Sequence, residues 1–193
     1  MPYRGNMRIV NHRLLAGCAT ALVATFTLAG CVSAPTPTPS TSAATDAPVF
    51  ASDEEALAAA TEAYAAYLKV SDQISNDGGE GPERIAPLVS DALLPLELEG
   101  FAEFQAADAH TVGSTSFEVF KMQSAEYESP ELTSISLYIC EDVTGVNVVD
   151  STGISLVSPS RKPLTAFQVR LGMEADSSLV LGEREVWKGD SFC

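Results

Sequence analysis

The chain has 193 residues, with 26 acidic side chains against 11 basic ones and a formal charge of −15. A surface this acidic repels nucleic acid and anionic lipid, which excludes polyanion-binding classes. The length suits a single domain with a real hydrophobic core.

The first stretch carries Arg4, Arg8, His12 and Arg13 and no acid, and from Leu14 to Gly30 every residue is apolar or small. That is the n-region and h-region pattern of a signal peptide. An uncleaved transmembrane helix is the competing reading, but the run is slightly short of the about 20 apolar residues a span needs. No basic stop-transfer cluster follows it. Leu28-Ala29-Gly30-Cys31 closes the run and resembles the lipobox of bacterial lipoproteins. The resemblance implies that residues 1–30 are removed and that Cys31 becomes the lipid-bearing first residue. The product would sit on the outer face of the cytoplasmic membrane. Leu15-Ala16-Gly17-Cys18 has the same pattern, but cleavage there leaves no apolar core between Arg13 and the site. A start at Met7 changes nothing downstream.

Each buried CH2 of an anchor contributes about 0.8 kcal/mol, and two or more chains hold a protein stably. Residues 31–51 form a linker with Pro35, Pro37, Pro39 and Pro48 among Ser, Thr and Ala. Such a composition cannot bury a core, and at about 3.1 Å per residue its reach is at most roughly 60 Å. Of the four cysteines, Cys18 leaves with the export segment and Cys31 takes lipid. Cys140 and Cys193 remain as an even pair in an oxidising compartment, and a disulfide between them is expected. Closing that loop would contribute about 4 kcal/mol on a chain-entropy account. Free thiols or metal ligands are the alternative, although neither cysteine has a second Cys or His at ligand spacing.

Residues 52–193 read as the folded domain. Ser52-Asp53-Glu54-Glu55 is a capping box, and Leu57, Ala60, Tyr64, Tyr67, Leu68 and Ile74 follow at helical spacing. Asn76-Asp77-Gly78-Gly79 ends this first helix, and Gly81-Pro82 opens a short second one. A third helix is predicted from about Asp91 or Leu94 to Ala107, with Leu94, Leu98, Phe101 and Phe104 on one face. From Val112 the period changes to two. Phe117–Tyr127, Leu132–Val143, Leu164–Met173 and Leu179–Trp187 read as strands. The valine-rich piece Val146–Val157 reads as a small hairpin or strand extension around Asp150-Ser151-Thr152-Gly153.

Helices followed by an antiparallel meander give an α+β class, with N-terminal helices packed on one face of a curved antiparallel sheet. This order resembles the NTF2-like (cystatin-like cone) fold, and within it the uncharacterised actinobacterial lipoproteins. The residues that carry the resemblance are the lipobox and the first helix with Tyr64 and Tyr67. The strand Leu137-Tyr138-Ile139-Cys140-Glu141-Asp142-Val143 and the ending Glu185-Val186-Trp187-Lys188-Gly189-Asp190-Ser191-Phe192-Cys193 complete the set. The resemblance implies a pocket between helices and sheet. Tyr64, Tyr67, Phe101 and Phe104 would line it from the helices, and Phe117, Tyr138, Phe167 and Trp187 from the strands. Ordinary core filling is the commoner fate of aromatics at such spacing.

An isomerase-like member of this fold would need a pocket acid and hydrogen-bond donors. Asp142 beside Tyr138 on one strand face is the local candidate, with Arg170 as a partner for Asp142 in the manner of epoxide-hydrolase relatives. A third member of that arrangement is missing, so a solvated charge pair is the favoured reading. His110 falls at a helix exit, where a cap role suits its charge. Asp72, Asn76, Asp77 and Glu80 crowd one loop without the spacing of a calcium site. No nucleophile elbow and no phosphate-binding glycine loop occurs in the sequence. The expectation is a non-catalytic, lipid-anchored domain without metal or cofactor. It would bind a small apolar ligand or an envelope protein. The alternative is an NTF2-like enzyme, of isomerase or epoxide-hydrolase type, on a small hydrophobic substrate.

Overall fold

The computed structural model describes residues 50–128 and 131–193. The expected export segment, the expected lipidation residue Cys31 and the linker as far as residue 49 lie outside the described residues, as do residues 129 and 130.

Helix α1 (Asp53–Asn76) begins where the capping box places it. Ser52 Oγ accepts from the Glu55 amide at 3.3 Å, and Glu55 Oε2 reaches back to the Ala51 amide at 2.7 Å. These bonds satisfy donors that a helix start leaves orphaned. Ala56, Ala60, Tyr64, Tyr67, Leu68 and Ile74 make its buried stripe. The helix leaves through Gly79, whose φ is +84°. A Cβ there would lie 2.2 Å from the Phe101 carbonyl oxygen, so only glycine lets this turn press on the next helix. A 3-10 turn (Pro82–Leu88) follows, and then α2 (Leu94–Ala106).

Four long strands form an antiparallel meander: β2 (Ser116–Glu128), β3 (Glu131–Asp142), β5 (Leu164–Met173) and β6 (Leu179–Val186), in that spatial order. Ile135, Leu137 and Ile139 of β3 alternate toward α1, as do Phe167, Val169 and Leu171 of β5, and all are buried. Register shifts leave Phe120 and Gln123 of β2 and Gly182 of β6 unpaired. Such bulges bend a strand and reverse its inside–outside alternation from that point on. The architecture is α+β, with helices on one face of an antiparallel sheet.

The valine-rich piece closes as a small hairpin, with the Asp150 amide donating to the Ile154 carbonyl at 3.0 Å and the Leu156 amide to the Val148 carbonyl at 2.8 Å around the bridge Val149–Ser155. Its first half, β4 (Asn147–Asp150), also pairs with a strand that the sequence reading missed, β1 (Ala109–Val112), in a separate two-stranded ribbon. Asp150 holds that turn, accepting from the Thr152 and Ile154 amides at 2.9 Å. His110 accordingly lies within β1, opposite Val149, and does not cap a helix. Cys140, on the outer face of β3, is joined to Cys193 with a Cα separation of 5.4 Å, as the cysteine reading expected.

Candidate functional site

The same alternation that buries Ile135, Leu137 and Ile139 carries Glu141 inward at the end of β3, where it is 3% exposed. Its charge needs a partner there. The bulge at Gly182 supplies one. Leu179 and Leu181 set an inward parity that would point Arg184 outward, and the extra residue reverses it, placing Arg184 opposite Val169 on the inner face. The Arg184 guanidinium lies 3.9 Å above the Phe167 ring and reaches across β5 to Glu141. Nε donates to Oε1 at 2.9 Å and Nη2 to Oε2 at 2.5 Å. This is the two-pronged geometry that makes arginine–carboxylate pairs strong. Tyr64 of α1 donates its hydroxyl to Glu141 Oε1 and accepts from Arg184 Nε at 3.2 Å.

Burial pushes the Tyr64 hydroxyl up, and the Glu141 charge adds to it. Burial works against the Arg184 cation as well, yet the hydrogen bonds and charge of Glu141 outweigh it and hold Arg184 protonated above its usual range.

A second pair stands beside the first. Tyr67, one helical turn from Tyr64, donates its hydroxyl to Glu97 of α2, 3.1 Å from each carboxylate oxygen. Burial raises the Glu97 pKa above the ordinary carboxylate range, partly offset by the Tyr67 hydrogen bond and by Arg184. The Tyr67 hydroxyl is raised by burial and then by Glu97.

Both pairs border one open cleft of about 530 Å³ between α1, α2 and the ends of β3 and β6. Leu68, Leu93, Phe101, Phe104 and Val146 give it apolar walls, and Ser71, Asp72 and Thr115 a polar rim. Asp72 fixes that rim by accepting from the Thr115 amide at 2.7 Å and its hydroxyl at 2.9 Å. Arg184 presents its Nη1 edge, which meets no acceptor among the described residues. No group of His, Cys, Asp and Glu able to hold a metal ion occurs among the described residues. At the end of α1, Asn76 accepts from the Thr111 hydroxyl and donates to the Gly113 carbonyl, and Asp77 just past it bonds Arg84.

Of the ten residues singled out for a pocket, Tyr67, Phe101 and Phe104 border this cleft. Tyr64, Phe117 and Phe167 fill the core below it, with Phe117 edge-on to Tyr64 at 5.0 Å. The other four lie on the opposite face, and the Asp142–Arg170 pairing is overturned. Asp142 is out of phase with the inward apolar set of β3. It accepts from the Thr144 amide at 2.7 Å, and Thr144 lowers its pKa. Arg170 bonds Glu126 at 2.6 Å and Ser134 at 3.2 Å. Tyr138 and Trp187 stack edge to face, 5.0 Å apart, on the outer surface. Trp187 is there because the Gly182 bulge shifts everything after it.

The polar residues that do meet, Glu141, Arg184 and Glu97, each left a sequence signal. Glu141 continues the Ile135-Leu137-Ile139 parity. Glu97 interrupts the α2 stripe between Leu94 and Phe101. Gly182 sits inside a strand, where glycine commonly marks a bulge.

Helices seated on one face of a bulged antiparallel meander make an α+β fold of the NTF2-like cone type. No protein-family model matches the sequence, and no curated protein matches it. Among solved structures, the intermembrane-space region of the chloroplast protein ARC6 is similar at 10% identity and a TM-score of 0.52, over 67% of this chain and 95% of that one. A protein from Catenulispora acidiphila aligns at 12% identity over 68% of this chain and 90% of that one, with a TM-score of 0.45. Aln2 from a Streptomyces species aligns at 16% identity over 70% of this chain and 90% of that one, also with a TM-score of 0.45. At 10% identity, the likeness to the ARC6 region speaks to the fold alone.

Proposed function

We propose that the protein is a lipid-anchored domain of the outer face of the cytoplasmic membrane that binds a small ligand with an apolar body and a hydrogen-bonding head, without turning it over. The observation that carries the ligand reading is the cleft. It has room for a small molecule, apolar walls, and the free Arg184 Nη1 edge beside the Glu97–Tyr67 pair. Glu141 and Asp72 already hold protein donors, and no activated nucleophile faces the space among the described residues. The anchor rests on the lipobox-like Leu28–Cys31 at the end of a long apolar run.

Nile red titrated into the detergent-solubilised full-length protein is expected to gain fluorescence, and Ser71→Trp, which fills the cleft, to abolish the gain. Equal binding by the variant sinks the cleft reading, and a contact with an envelope protein then takes its place. In an expressing host fed labelled palmitate, Cys31→Ala is expected to lose the label; persistence of label on the variant sinks the anchor.

A second reading, an isomerase or epoxide-hydrolase type of enzyme, is favoured by one observation. Glu97 is a cleft acid with a raised pKa beside a hydroxyl donor. Turnover of a small epoxide or unsaturated ketone that disappears in Glu97→Gln would establish it.

A further inference from the structure

The outer face of the sheet carries an aromatic group that the cleft does not use. Phe120 is the unpaired residue of the first β2 bulge, so it is thrown outward and is 61% exposed. Phe192 stacks on it with centroids 4.9 Å apart and also meets Tyr138 and Trp187, at 5.7 and 6.4 Å. Phe192, Phe120 and Leu164 together with both cysteines line a second hollow of about 400 Å³.

The segment that brings Phe192 there is weakly tied. The last ladder-like bond is Trp187 amide to Ala166 carbonyl at 2.8 Å. Past it, the bonds found among the described residues are local, Trp187 Nε1 to the Asp190 carbonyl and the Cys193 amide to Ser191 Oγ. Residues 188–193 are therefore held to the sheet by the Phe192 stacking and the Cys140–Cys193 bond. Cys193 is exposed, while Cys140 is half-buried on β3.

We propose that this disulfide is a thiol–disulfide exchange site, attacked at Cys193 Sγ by a dithiol reductant, and that its opening frees residues 188–193 and uncovers Phe120, Tyr138 and Trp187. A thiolate of the reductant forms a bond to Cys193 Sγ as the Cys193–Cys140 bond breaks, and Cys140 leaves as a thiolate that takes a proton from water. The reductant's second thiolate then attacks its own sulfur in the mixed disulfide and releases the Cys193 thiolate, which is protonated in turn. Two electrons and two protons pass to the cysteine pair, and the reductant becomes a disulfide. The exposed sulfur is the accessible target, since exchange rates depend on access as well as on thiolate character. The sheet has no need of the bond for its own pairing, because β2, β3, β5 and β6 are laddered to one another on both sides of each bulge.

The test uses the full-length oxidised protein. Brief exposure to glutathione, an acid quench and peptide mapping should place the adduct on Cys193 in at least about tenfold excess over Cys140. Dithiothreitol should shift the emission of Trp187, the chain's only tryptophan, to the red and increase binding of an apolar dye, with the far-ultraviolet circular dichroism unchanged. The double variant Cys140→Ser, Cys193→Ser should show the reduced spectrum without any reductant. An adduct chiefly on Cys140, a bond that resists dithiothreitol until the protein is denatured, or loss of secondary structure on reduction would each overturn the proposal.

Discussion

Two arginine–glutamate pairs span the sheet, one on each face. Arg184 and Glu141 meet under α1 with side chains 29% and 4% exposed, while Arg170 and Glu126 meet on the outer face at 42% and 51%. Their contacts are similar in length, 2.5 and 2.6 Å. Their surroundings set them apart. Under α1 Glu141 has lost its water and Arg184 much of it, and the partner, Tyr64 and the Phe167 ring replace what is lost. Outside, water competes for every bond and side-chain entropy opposes the pairing. The same chemistry is a structural commitment on one face and nearly dispensable on the other.

The largest effect is expected from breaking the inner pair. Glu141→Ala leaves the half-buried Arg184 without its counter-charge and the buried Tyr64 without its acceptor, and should lower stability by about 3 kcal/mol in urea unfolding. The double variant Glu141→Leu, Arg184→Met removes both charges and should recover most of that loss. If it does not recover, the damage comes from packing, and the contrast between the faces is weaker than their burial implies.

The disulfide belongs to the outer face, yet it acts on the unfolded chain. Cys140 and Cys193 are 53 residues apart, and replacing both with serine should lower stability by about 2–5 kcal/mol. The folded body should remain, so the loss appears in the unfolding midpoint and leaves the native far-ultraviolet spectrum in place.

How far this contrast was legible beforehand depends on where the strands stay regular. The elements followed from local chemistry: Ser52 and Glu55 mark the α1 start, Pro82 the 3-10 turn, and apolar alternation the four long strands. Faces were legible only where alternation is unbroken. In β3 it is from Ser134 onward, so Glu141 is legible as the inward acid, while Asp142 and Tyr138 have the opposite parity. In β6 a period-two reading puts Trp187 inward and Arg184 outward, and one extra residue at Gly182 inverts both. The strand β1 was hidden because its partner β4 lies 35 residues or more along the chain, Val112 facing Asn147, and four residues carry too little pattern to announce a strand.

Breaking the outer pair should cost little. Glu126→Gln is expected to change stability by at most about 1 kcal/mol, and by less as salt is raised. A loss comparable to that of Glu141→Ala would mean that Ser134, 5% exposed and bonded to both Arg170 and Glu126, makes this pair part of a buried network.

The smallest effect expected is a slope in pH. Glu97 holds its proton in the folded protein at pH values where the unfolded chain has released it, because burial raises its pKa. The folded state then binds more protons than the unfolded one, and linkage makes stability fall as pH rises from the ordinary carboxylate range into the raised one. Tyr67, Arg184 and Glu141 all act on this carboxyl, with Tyr67 and Arg184 favouring the charged form and Glu141 opposing it. Glu97→Gln keeps an acceptor for the Tyr67 hydroxyl and removes the titration. The difference in unfolding free energy between wild type and variant, followed from pH 4 to pH 8, should therefore shift steadily against the wild type. A flat difference would mean that the cleft keeps Glu97 as well hydrated as a surface carboxylate. It would also remove the observation that favours the enzymatic reading.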